Sequence, residues 1–94
     1  MLYIDAIREI EDSHGCTVIG HVKATEYKYL QASSVYSKAD MITYINKYPN
    51  GVKTKYKIGG GWAEGETVRV VDNSYMRTDA NRVLRDNLGN LPKF

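Results

Sequence analysis

At 94 residues the chain has room for one domain, residues 1–94, with a modest core, and its single cysteine, Cys16, excludes an internal disulfide. The net charge of +2 and a pI of about 8.7 fall short of the basic excess, with pI above about 9, usual in nucleic-acid-binding domains. No apolar run approaches the roughly 18 residues of a membrane span, and no basic-then-apolar leader opens the chain, so a soluble cytoplasmic protein is expected.

The distribution of charge says more than its sum. Residues 23–57 carry seven lysines against Glu26 and Asp40, whereas residues 1–12 carry one arginine against four acids. A basic middle segment in a near-neutral chain predicts a local anionic ligand or partner. Tyrosine is over-used, with eight against one Phe and one Trp. Its apolar ring and wet hydroxyl suit half-buried strands and interfaces, which makes Tyr27, Tyr29 and Tyr36 candidates for a homo-oligomer contact.

In chain order, Leu2 to Ile10 reads as a strand with imperfect alternation, broken at Ile7. Glu11-Asp12-Ser13-His14-Gly15 is a turn, and Cys16 to Ala24 is a second strand that pairs with the first as a hairpin. Tyr27 to Tyr36 reads as a short irregular strand or an extended loop. Ser37 is a good N-cap, with Asp40 three residues on, and Pro49-Asn50-Gly51 supplies a stop, so a helix from Lys38 to Lys47 is predicted. Val52 to Ile58 alternates cleanly, with Lys53, Lys55 and Lys57 on one side. Gly59 to Gly65 reads as a loop too long for a tight hairpin, and Glu66 to Asp72 as the last strong strand. This order, β-β-(β)-α-β-β plus an ordered C-terminal tail, predicts an α+β fold: a small, mostly antiparallel sheet with one helix packed on it. In the tail, Asp79 capping a short helix from Ala80 to Asp86 and a chain of turns remain equally open.

The tail also carries a resemblance. Tyr75-Met76-Arg77-Thr78, Asn81, Asp86-Asn87-Leu88 and Leu91-Pro92 together resemble a family of short bacterial and phage proteins catalogued as a domain of unknown function. The resemblance implies a small α+β fold over nearly the whole chain and brings no catalytic residues with it. Arg82-Val83-Leu84-Arg85 departs from the small, polar insert of that pattern.

Alternate strand residues stand about 6.6–6.8 Å apart, so Lys53, Lys55 and Lys57 can line one wall and meet successive phosphates; a solvated or edge-protecting face is the competing reading. Gly59-Gly60-Gly61 lets backbone approach a ligand, and Trp62 can stack on a base, but the spacing matches neither a dinucleotide fingerprint nor a P-loop. Arg77, Thr78 and Asn81 offer a guanidinium fork, a hydroxyl and an amide to an anion, or else hold the tail's turns. His14, Cys16 and His21 lack zinc spacing, and no catalytic motif is present, so neither a metal, a cofactor nor enzymatic turnover is expected. The expectation is therefore a small non-enzymatic protein that binds or sequesters an anionic nucleotide-like molecule, a cyclic nucleotide or ADP-ribose-type signal, within a homo-oligomer. The ligand-binding candidates are Lys53, Lys55, Lys57, Trp62, Arg77, Thr78 and Asn81. A nucleic-acid-binding or protein-interaction module using the lysine strand is the alternative.

Overall fold

The computed structural model describes residues 1–78 and 86–94. The Ala80–Asp86 helix and the 82–85 insert considered above, with Asn81, fall on residues 79–85 and lie outside the described residues, save Asp86 itself. The fold is α+β, as the sequence predicts. Its elements are β1 (Leu2–Glu11), β2 (Thr17–Thr25), β3 (Ser34–Ser37), α1 (Lys38–Lys47), β4 (Val52–Ile58), β5 (Gly61–Thr67), β6 (Arg69–Val71) and β7 (Tyr75–Arg77).

The first five strands form one sheet in the order β3-β2-β1-β4-β5. All neighbours are antiparallel except β1 and β4, which run parallel over Leu2↔Val52 to Ile4↔Thr54. The parallel pair departs from a wholly antiparallel sheet. The intervening β2, β3 and α1 return the chain to the far side of β1 in the same direction, as parallel pairing requires. The helix starts where its cap dictates, with Asp40 N–H donating to Ser37 Oγ at 3.1 Å. It buries Met41, Ile42 and Ile45 on the sheet. Tyr48, the residue that caps the helix C-terminus, is exposed and packs its ring against Tyr44, centroids 5.0 Å apart.

Two corrections concern the region after β4. Gly59 and Gly60 have φ of 55° and 83° and join Ile58 to Gly61 as a two-residue hairpin. Positive φ at both central residues is what a tight type I′ turn needs, so the glycines make a tight turn where the sequence suggested a long loop. Trp62 and Glu64 are thus strand residues. The expected strand Glu66 to Asp72 is divided: its start finishes β5, and its end, β6, pairs with β7 in a second sheet. Asp72 and Asn73, with φ of 53° and 52°, make the turn between them. β5 bulges opposite Thr54, and a side chain on Gly65 would collide with the Thr54 hydroxyl and carbonyl, so only glycine fits there.

The tail is built into the fold. Leu88 and Leu91 join the core under the helix side of the sheet. β4 leaves β1 after Ile4, and the chain end takes its place: Ile7 N–H donates to Pro92 O and Phe94 N–H to Ile7 O, both at 2.9 Å.

Candidate functional site

Register assigns the faces. Ile4↔Ala24 and Ile7↔Val22 are cross-strand pairs in the same core as Met41 and Ile45, so they point at the helix. Side chains alternate along a strand, so Lys23, opposite Ala6, points to the other face. Ile4 is level with Thr54 on β4, which turns Lys53, Lys55 and Lys57 to that second face as well. The three lysines do share a side, but it is not a uniform wall.

The β2–β3 connection folds over this face and changes what the middle lysine does. Lys55 is 0% exposed. Its ammonium donates to the carbonyls of Tyr27 at 2.9 Å, Lys28 at 3.3 Å and Leu30. Asp5, also buried, stands 4.0 Å away and accepts the Ala32 N–H at 2.7 Å. A buried cation persists only with partners of this kind. Burial pushes the Lys55 pKa down, and the Asp5 charge offsets part of that. Lys55 therefore anchors the connection, while Lys53 pairs with Glu64 at 3.4 Å. Of the three, Lys57 faces a cleft.

That cleft, of about 350 Å³, is lined by Asp5, Ala6, Lys23, Gln31, Tyr56, Lys57, Trp62 and the chain end Pro92-Lys93-Phe94. The Trp62 and Phe94 rings and two ammonium groups, Lys23 and Lys57, share its walls; the Lys93 ammonium is paired with Glu9. Trp62 lies opposite Lys57 in the ladder, with Lys55 Nζ 4.4 Å and Lys57 Nζ 5.9 Å from its ring centroid. Phe94 is held by Lys23 Nζ at 4.8 Å and the Arg8 guanidinium at 4.7 Å from its ring, and by Arg8 Nε donating to its carbonyl at 3.2 Å. Each contact attracts a cation to a ring face and fixes the ring's orientation.

The structure thus brings Lys57 and Trp62 together and sets Lys55 directly behind them. Arg77 and Thr78 are elsewhere. Arg77 is 6% exposed, lies opposite Arg69 in the second sheet and is not among the residues lining this cleft. Thr78 lines a neighbouring cleft. Lys23 and Phe94 are not legible as site residues from sequence because they come from segments far from β4 in the chain. The available signal was Asp5, a carboxylate inside an apolar strand, which calls for a buried cation on an adjacent strand. Among the described residues no cluster of His, Cys, Asp and Glu could hold a metal ion, and no helix is long and apolar enough to cross a membrane.

A family model described as "Protein of unknown function (DUF3892)" matches residues 3–92. The chain belongs to that family. The match takes in every strand, the helix and the tail through Pro92, so the cleft of this DUF3892 protein lies inside the family's domain except for Lys93 and Phe94. No curated protein and no solved structure matches the chain.

Proposed function

We propose that the protein is a small binding protein that takes an anionic, nucleotide-like molecule in the cleft between β4, the β2–β3 connection and the chain end. The observation that carries this reading is the pairing of Lys57 with Trp62 at the cleft wall, beside Lys23 and Phe94. An aromatic ring face next to an unburied ammonium suits a planar base joined to a phosphate, since stacking is tolerant of base identity and the charge meets the phosphate. The cleft volume is at the lower end of the roughly 300–1,000 Å³ usual for ligand sites, which fits one nucleoside unit. The walls come from a single chain, so the site does not require the subunit boundary expected from the sequence. Homo-oligomerisation stays a separate proposal, for which Tyr27 and Tyr29, 62% and 74% exposed, are the surface.

A thermal-shift screen against adenine and guanine mononucleotides, cyclic nucleotides and ADP-ribose tests the reading, because a ligand that binds only the native state raises the melting temperature. An increase that is lost in Trp62→Leu supports it. No change with any of them at high concentration overturns it. Tight binding of single-stranded DNA or RNA with a steep salt dependence would instead favour a nucleic-acid module.

A further inference from the structure

A second cleft adjoins the first. It measures about 520 Å³ and is lined by Thr54, Glu66, Thr78, Asn90 and Leu91 among others. Tyr56 and Lys57 line both clefts. Both spaces therefore border the gap between the end of β4 and the C-terminal tail, and Lys57 stands at their junction.

The two sides differ in chemistry. The first offers aromatic rings and ammonium groups. The second has an apolar floor, Leu88 and Leu91, with a hydroxyl at Thr78, an amide at Asn90 and a carboxylate at Glu66, while Glu64, which also borders it, has its carboxylate turned to Lys53. Ionised carboxylates accept hydrogen bonds and donate none, and they repel phosphate. A group seated there is neutral and rich in hydroxyl donors, with the phosphates confined to Lys57.

We propose that the ligand is bipartite: a nucleoside stacked at Trp62, a phosphate bridge at Lys57, and a second, sugar-like group in the cleft of Glu66, Thr78 and Asn90. This rests on the proposed nucleotide reading of the first cleft and extends it by naming the ligand class, a nucleoside diphosphate conjugated through its terminal phosphate to a polyhydroxyl group. It also gives Thr78 a place in the same site as Lys57 and Trp62, reached through the second cleft and not through Arg77.

ADP and ADP-ribose separate the two ideas, because they differ by the terminal ribose. A site that recognised charge and base alone would prefer ADP, which carries more negative charge. The expected result in isothermal titration is ADP-ribose binding about tenfold tighter than ADP, the size of one or two added hydrogen bonds. Thr78→Val, which keeps the shape and removes the hydroxyl, should collapse that preference towards parity. In the unmutated protein, the backbone amide resonances of Thr78 and Asn90 should move with ADP-ribose and not with ADP. Equal affinities with both amides unmoved overturn the extension and leave the first cleft's reading standing. Binding of neither compound overturns both.

Discussion

The Asp86 carboxylate and the Ile19 amide, 67 residues apart in the chain, meet at 2.9 Å. The same oxygen receives Lys38 Nζ at 2.7 Å, and the other oxygen receives the Met76 N–H at 2.9 Å. One side chain, 5% exposed, therefore ties β2, the first residue of α1 and β7 together. Asp86→Ala would leave two inward N–H groups without their acceptor and Lys38 without its counter-charge. The expected loss is about 3 kcal/mol. It should appear as a lower urea midpoint at unchanged m-value, with Asp86→Asn, which keeps one acceptor oxygen, losing less.

This accounts for much of the tail's sequence. Asn87 N–H donates to Met76 O at 2.8 Å, and Asn87 O accepts the Thr78 N–H at 3.0 Å. Its side-chain oxygen receives the Gly89 N–H at 3.1 Å, and the chain turns there through Gly89 at φ 78°. Asp86 and Asn87, two of the tail's polar residues, hold it against the sheet. Leu88 and Leu91 are buried beside them in the core.

The relation between Lys55 and the β2–β3 connection gives a second expectation. Lys55→Met keeps a linear side chain of similar length but removes the donor from three carbonyls and leaves Asp5 buried without a counter-charge. Breaking a buried pair by removing one partner costs about 3–5 kcal/mol, and the lower end is expected because the connection can move aside and let water reach the carbonyls. Hydrogen exchange should show where the loss falls. The Ala32 amide, held by Asp5, should lose protection, while amides in β1 paired with β2 should lose only what the global destabilisation takes.

Trp62 and Lys57 make separable contributions. Replacing Trp62 by Leu removes a stacking surface worth about 1–3 kcal/mol per base, so the affinity for ADP should fall about tenfold or more. Replacing Lys57 by Ala should weaken ADP binding and also flatten its salt dependence, since one charge contact is gone. Titrations at two ionic strengths distinguish the two. If Lys57→Ala leaves the salt dependence unchanged, the phosphate lies elsewhere.

The local parts of this fold were legible because their causes are local. Ser37 and Asp40 mark the helix start, Pro49 its end, and the Val52–Ile58 alternation its strand, and each is observed at those residues. Pairings between distant segments were not legible. Nothing in the 23–57 charge pattern says that Lys55 is covered while Lys57 is open, because the cover is the Tyr27–Ala32 backbone, whose carbonyls carry no side-chain signature. Gly59-Gly60 is ambiguous in sequence for a related reason: a run of glycines is compatible with a mobile loop and with a tight turn, and only the partner strand decides between them. The cleft shared the same obscurity, being assembled from β1, β2, β4, β5 and the last residues of the chain.

Lys55 also makes a pH expectation whose sign can be worked out. Burial lowers its pKa from the ordinary 10.5, against the partial help of Asp5. In the window just below 10.5 the unfolded chain then binds more protons than the native one, and stability rises with pH wherever that holds. Lys55 should therefore stabilise the native state more at pH 10 than at pH 7. The wild-type curve alone does not isolate the effect, because it sums the contributions of every group in the chain. The difference in unfolding free energy between wild type and Lys55→Met does, because all other groups are common to both. That difference should favour wild type at pH 7 and widen as the pH approaches 10.5. A difference that narrows instead would mean that the three carbonyls and Asp5 hold the ammonium more strongly than its burial penalises it.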